Sequence, residues 1–472
     1  MYRNTYHRRP FCRMAFLIFV SVIVLVPIEA NAGLLYFLND DSTGSRIYGF
    51  QVNEATGALT PLSGFPVATG GNGGTGLVCE RMAIDTVNRR LFVANDNSDS
   101  VSAYSIDPAT GALTALPFSP VAIGAGTWNA IAVHPSGSPL LISNGATGIG
   151  VVSLNITATT ATPATGSPFP LGGATAFSNV FSVDGNYYYT GGNTGTTFAG
   201  FSVDAATGVL TTLSGSPFNS GVTGALSYAM DSSGRLFVFN STDLAIRAFT
   251  TSAGIPTPVT GNPFASGMSQ RRDGLMHPNG VFYIVAGNTG NNVGVFQLAG
   301  SGASTTVTAV AGSPFATGGT TANVLALNQA GTFLFVGNRL SRNATTFAFS
   351  TSTGVLSGQT VQASNTMGTT GAINGIGYLP DATAVNAQIG GRITDAGGNG
   401  VGNVIVRLTS MDGMTNLFAI TSPFGYYNFP TVLTGTTYTL TPSRKGYSFT
   451  PPSLTFTHTG DATNQNFVGQ QN

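Results

Sequence analysis

The chain has 472 residues, including 63 Gly, 24 Pro, 31 Phe and 15 Tyr, and only 8% of it is charged. Eighteen basic residues balance eighteen acidic ones, so no excess of positive charge points to nucleic acid or an anionic membrane as a partner. The glycine content excludes a mainly helical protein, and a hydrophobic fraction of 42% excludes a disordered one.

Residues 1–32 read as a secretory signal. Arg3, Arg8, Arg9 and Arg13 precede an apolar run from Met14 to Val26, and Ala30-Asn31-Ala32 supplies a small-residue cleavage site. The run of about 13 residues is short for a membrane span of about 20, and no later stretch reads as one. Cleavage removes four Arg and one Glu and leaves a net charge near −3. It also removes Cys12, so Cys79 remains as the one thiol and no internal disulfide can form. Cys79 sits in a strand-like run, which predicts a buried thiol. The expected location is secreted, cell-surface or periplasmic.

From Leu34 onward three markers recur in phase, about 49 residues apart. The first is an apolar run ending in a turn: LLYFLND from Leu34, RLFVAND from Arg90, PLLISNG from Pro139, YYYTGGN from Tyr187, RLFVFNS from Arg235, VFYIVAGN from Val281 and FLFVGNR from Phe333. The second is a polar turn, as in DPATGALT from Asp107 and DAATGVLT from Asp204. The third is GSPF or a relative, from Gly166, Gly215, Gly261 and Gly312. A unit of this length holds about four strands and their turns, which is one propeller blade. Alternation in Val101-Ser102-Ala103-Tyr104-Ser105-Ile106 is the period-2 signature of a half-buried strand.

Seven units predict a seven-bladed all-β propeller over residues 33–381. The first unit lacks the strand that precedes its apolar run, and a matching strand returns after the seventh as Gly371 to Leu379. The C-terminal strand is therefore expected to complete the first blade and leave no open edge there. A linker at 382–387 leads to a second pattern over 388–472, in which short alternating strands and Gly, Asn and Pro turns predict a β-sandwich.

The words GRITDAGGNGVGNVIVRL, TSPFGYYNF and VLTGTTYTLTPSRKGY resemble the carboxypeptidase regulatory-like (transthyretin-like, Cna-B-like) domains, with Ser422 where that family usually has Asp. The resemblance implies a stalk, spacer or binding module and no chemistry. Some relatives carry a Lys–Asn isopeptide bond, which is not expected here because the segment has no Glu and Lys445 lies in a turn. The blade text LFVANDNSDSVSAYSIDPATGALT resembles the lactonase-type and surface-layer YVTN-type propellers. That resemblance implies the fold, whereas function lives in sites grafted onto it. Lactonase relatives would be expected to line the central mouth with His, Arg and Glu from a P-R-H-like word, which is missing.

Aligned on the first marker, the units place Glu80, Asn129, Phe177, Leu226, Arg272, Asn323 and Asn374 at the head of each inner strand. Arg81, Trp128, Arg271 and Asp273 fall beside them. A propeller gathers these strand ends around one axial channel, so Glu80, Arg81, Trp128, Asn129, Arg271, Arg272, Asp273, Asn323 and Asn374 are the candidate ligand-binding set. Glu80 as general base and Arg272 as an oxyanion holder are the catalytic candidates, but the favoured role for both is structural, as ion-paired or channel-lining residues. His134 and His277, in HPSG and HPNG, read as surface turn residues. Asp40, Asp41, Asp96 and Asp99 have the composition of a calcium loop, but Asx-stabilised hairpin loops are the favoured reading. No nucleophile elbow, zinc-ligand or haem-attachment pattern occurs, so no metal and no cofactor is expected.

The leading reading at this level is a monomeric, non-enzymatic binding or adhesion scaffold for an extracellular glycan, peptide or protein, with Trp128 and Tyr187 to Tyr189 as stacking residues. The alternative is a lactonase-like hydrolase with its active site in the axial pocket.

Overall fold

The computed structural model describes residues 32–74, 78–107, 110–145, 149–192, 195–221, 223–240, 243–268, 271–380, 386–410, 415–434, 437–458 and 461–471. The expected signal at 1–32 therefore lies outside the described residues, apart from the backbone of its last position. Among the described residues no helix is long and apolar enough to cross a membrane.

Seven antiparallel sheets, each of four main strands, follow one another along the chain. Their innermost strands are Ala372–Leu379, Met82–Asp85, Trp128–Val133, Ser178–Phe181, Ala225–Met230, Arg271–Met276 and Ala322–Leu327 for blades 1 to 7. Each packs against the next, and the seventh packs against the first. Blade 1 is assembled from both ends: Ala32–Asp40 pairs with Ala372–Leu379, Leu34 lying opposite Leu379. The ring is thus closed by backbone hydrogen bonds rather than by docking of two free edges.

Burial explains why the second strand of each blade is so apolar. Every residue of Arg90–Asn95 is buried, because neighbouring blades cover both faces of a central strand. Each of the seven blade-to-blade seams has its own apolar cluster. Leu34, Tyr36 and Leu38 meet Leu91, Val93 and Ile106 between blades 1 and 2, and Val324 and Phe335 meet Leu35 and Phe37 where blade 7 returns to blade 1. Each fully buried Leu, Val or Phe contributes about 1.5–3 kcal/mol, so the ring is held by seven cores in series.

The other two markers also acquire a physical cause. In the polar turn, Gly57, Gly111, Gly208 and Gly354 have φ between 69° and 72°, where a side chain is disfavoured. A Cβ on Gly111 would lie 2.7 Å from Leu62 of the preceding blade. The turn carbonyls then staple blades together: Tyr36 Oη donates to Gly111 O at 2.8 Å, Ser153 Oγ to Gly208 O at 2.7 Å and Tyr189 Oη to Gly254 O at 2.6 Å. In the GSPF marker the Ser or Asn before Pro accepts a backbone N–H of the third strand. Ala103 donates to Ser119 Oγ, Ser153 to Ser167 Oγ, Ala248 to Asn262 Oδ1 and Val295 to Ser313 Oγ, all at 2.8–3.0 Å.

After residues 381–385, which are outside the described set, the strand Asn386–Thr394 opens a sandwich of two four-stranded sheets. One sheet contains a parallel pair, Ile393 opposite Phe467; the other is antiparallel throughout. Ile389, Val406, Leu408, Phe429 and Leu440 form the core between them.

Candidate functional site

The inner strands do more than pair. In five blades the register slips at the aligned position: between Trp128 and Ala130, Ala225 and Ser227, Arg271 and Gly274, and Ala322 and Val324, and opposite Leu38/Asn39 in blade 1. The residues left out of the ladder are Asn129, Leu226, Arg272 with Asp273, Asn323 and Asn374. A bulge frees a residue from alternation and re-aims its side chain. Thus five of the seven positions in one alignment column of the sequence are bulges facing the axis, whereas blades 2 and 4 pair without a shift.

The segment 78–81 runs into the middle of this ring. Asn323 of blade 7 donates to Val78 O, Arg81 N donates to Asn374 O of blade 1, and Ile131 N of blade 3 donates to Glu80 O. Its Glu80 side chain reaches blade 4, where Ser178 Oγ donates to Oε1 and the Asn179 N–H donates to Oε2 at 2.8 Å. Burial and then the charge of Asp273 push the Glu80 carboxyl up to about 8. Asp273 comes from blade 6, accepts the Leu325 N–H at 2.7 Å and is itself pushed up to about 7 by burial. Both carboxyls are thus moved toward neutral pH, and Glu80, which feels the charge of Asp273, is moved further.

Arg272 is buried, and its Nε has no hydrogen-bond partner. Its guanidinium lies 5.7 Å from the centroid of Phe177, and burial lowers its pKa. Arg272 is therefore a buried cation with one donor left without a partner, a group that burial makes costly unless something compensates its charge. The Arg339 guanidinium is close enough to Arg272 for the two charges to repel, burial being the larger cause of its own lowered pKa. The heads of the inner strands thus bring carboxyls from blades 2 and 6 and a buried guanidinium from blade 6 toward the axis.

The other candidates are given framework roles. Arg81 is a buried hub, its two terminal nitrogens donating to Asp40 and Asp96 at 2.7 Å and its Nε to Trp128 O at 3.1 Å. Trp128 has no exposed surface, and its Nε1 donates to Asp99 Oδ1 and Gly124 O, both at 3.1 Å. It therefore cannot serve as a stacking platform, contrary to the sequence expectation. Tyr188 and Tyr189 are likewise fully buried. Asn129 donates to Ala176 O of the next blade at 3.1 Å, and Asn323 to Ile373 O at 2.8 Å. Asn374 receives Arg339 Nε at 3.3 Å and donates to Asp40 at 3.2 Å. These amides stitch blade to blade, so their donors are not offered to a ligand. The side chains of Leu226 and Arg271 lie outside the described residues.

The histidines also depart from expectation. His134 and His277 are buried at the blade junctions, with Nε2 against Gly185 O at 3.2 Å and Gly331 O at 3.0 Å. Their Pro-Gly turns look solvent-exposed in sequence because the covering turn belongs to the next blade. The carboxylates with calcium-loop composition are engaged with Arg81, Trp128, the loop before blade 3 and their own turns, as when Asp99 accepts Gly126 N at 2.9 Å and Asp41 accepts Thr43 N at 2.8 Å. Cys79 is a buried free thiol packed among Leu35, Phe37 and Ile373.

Sequence reasoning missed Ser178, Asn179 and Arg339. The first two follow Phe177 in the aligned column and were detectable as its polar neighbours. Arg339 ends the FLFVGNR marker and was hidden by being counted as turn. A separate concavity of about 570 Å³ lies off the axis at blade 1, with Asp41, Arg46 and Tyr48 among its walls; Glu80, Arg272 and Asp273 do not line it.

Comparison with known proteins agrees at the level of the ring. No family model matches the chain, and no curated protein matches it. Solved structures do match. The periplasmic gluconolactonase of Pseudomonas aeruginosa superposes with a TM-score of 0.58 at 16% identity, covering 75% of this chain and 100% of that one. A provisionally assigned 6-phosphogluconolactonase of Bacteroides fragilis gives 0.58 at 15%, covering 74% and 98%. A Lactobacillus plantarum protein gives 0.58 at 17%, covering 74% and 100%. Identities this low establish a shared fold.

Proposed function

We propose that the chain is a lactonase-like hydrolase acting at the axial mouth, exported by its leader to the periplasm or beyond, with the C-terminal sandwich as a spacer or binding module. The observation that carries this reading is the Glu80–Asp273 pair, both carboxyls pushed up toward neutral pH, with Arg272, the residue before Asp273 in the chain, buried and one of its donors without a partner. Ionised Glu80 takes a proton from a water molecule as the water oxygen bonds to the lactone carbonyl carbon. The carbonyl oxygen becomes an oxyanion facing Arg272. Collapse of this adduct breaks the ring C–O bond, and the leaving alkoxide takes the proton back from Glu80, giving the open hydroxy acid. Asp273 raises the basicity of Glu80 by its charge. Gluconolactonase names among the structures that share the ring are in keeping with this chemistry. The scaffold reading ranks second because three of the four aromatic residues that would have served it, Trp128, Tyr188 and Tyr189, are buried, and Tyr187 is half-buried.

The test is acid release from sugar lactones and homoserine lactones by the purified chain, followed in a pH-stat with spontaneous hydrolysis subtracted. Loss of turnover by roughly 10²-fold or more in Arg272→Met, with the fold intact, supports the assignment. Turnover that is absent, or unchanged in that variant, overturns it.

A further inference from the structure

The C-terminal sandwich has an open edge. Its edge strands Asn416–Ile420 and Tyr426–Leu433 belong to different sheets and meet there, leaving a cleft of about 620 Å³. Phe418, Ile420 and Tyr426 line it together with Gln388, Asn428 and Thr463. Phe418 is 61% exposed and Tyr426 58%. Across the described propeller, by contrast, the exposed large apolar side chains are all aliphatic. Two accessible aromatic rings in one cleft are a feature that folding does not require.

Each ring is backed by a cation. The Arg392 guanidinium lies 5.2 Å from the Tyr426 centroid and that of Arg407 lies 5.9 Å from the Phe418 centroid. Such contacts hold a ring in place, so less order has to be imposed when a ligand binds. Gly390 and Gly391 add no side chain to the floor. No charged side chain lines the cleft; its polar groups are amides and hydroxyls. Asn428 and Thr463 have no side-chain hydrogen bond within the described residues, while Gln388 is held by Asp461 at 3.3 Å.

From this lining we infer that the cleft binds a neutral polysaccharide. A pyranose ring offers an apolar C–H face to an aromatic ring and a rim of hydroxyls to amides, and it needs no counter-charge. Strand addition by a peptide is the poorer fit, because Pro430 interrupts the row of N–H donors along the Tyr426–Leu433 edge. This site is independent of the hydrolase reading and would place the ring's axial mouth near a glycan surface.

The test is affinity gel electrophoresis of the full chain in gels containing hydroxyethylcellulose, xylan, galactomannan or glycol chitin. The expected result is retardation by at least one polymer, weakened roughly tenfold or more in the Phe418→Ala, Tyr426→Ala double variant and unchanged in Glu80→Gln. The substituted side chains are exposed, so an unchanged melting temperature accompanies the loss. No retardation by any of the four polymers overturns the inference. So does retardation that persists in the double variant or appears only on an added anionic polymer such as polygalacturonate.

Discussion

Replacing Glu80 by Gln should change how the stability of the ring depends on pH. The carboxyl has an ordinary value of 4.5 and is pushed up to about 8 in the folded protein. Between those values the folded chain keeps a proton that the unfolded chain has released, so stability falls as pH rises through the window. Below about 4.5 both states are protonated and the effect vanishes. At 1.36 kcal/mol per unit the full shift corresponds to at most about 5 kcal/mol, which the partial exposure of Glu80 reduces to about half. Glutamine is neutral throughout and can still accept from the Asn179 N–H. Relative to wild type, Glu80→Gln should therefore gain about 2–3 kcal/mol between pH 5 and pH 9, measured as a difference in melting temperature by scanning calorimetry of about 3 °C or more. Asp273 leaves a smaller slope of the same sign in both proteins. A melting-temperature difference that stays constant from pH 5 to pH 9 would refute the placement of Glu80 in a desolvated, acid-paired mouth.

Further substitutions probe the framework. Arg81→Met strands Asp40, which has no exposed surface, and should cost about 3–5 kcal/mol of stability by thermal melting; an unchanged melting temperature would remove Arg81 from its hub role. Gly111→Ala combines a φ of 69° with a contact of 2.7 Å to Leu62 and should cost about 1–2 kcal/mol, whereas Gly280→Ala, which meets no neighbour, isolates the backbone part of that penalty. Burial lowers the pKa of His277 below its ordinary 6.5, so the folded state binds fewer protons than the unfolded one and stability is lost as pH falls below about 6.5. His277→Gln should flatten that acid limb, and an identical limb in the variant would contradict the buried-staple assignment.

The ring was legible in the sequence because its signals are local. A blade announces itself through an apolar strand, a TG turn and a Ser-Pro turn within one period, and each of these has a cause inside the blade or at its nearest seam. Closure was legible too, since the strand missing before Leu34 reappears at Ala372–Leu379. The alignment column also located the five bulges without revealing that they are bulges. What the column could not supply was the direction of each side chain. Arg81 and Asp40 are 41 positions apart and meet only where blade 2 packs against blade 1, and Trp128 turns into the blade 2–3 core rather than the mouth. His134 shows the same limit, because the carbonyl that covers it belongs to Gly185, 51 residues away. Polar character at an aligned position therefore marks the axis, and only the three-dimensional partners separate a stitch such as Asn323 from an unspent group such as Arg272.

The most direct measurement is the pH dependence of kcat/KM for lactone hydrolysis by wild type and Glu80→Gln. Wild-type turnover should rise with pH through a limb at about 7–8, following ionisation of the Glu80–Asp273 pair, and the variant should lose both the limb and about 10²–10⁴-fold in rate. Turnover in the variant that matches wild type across this range would contradict the account.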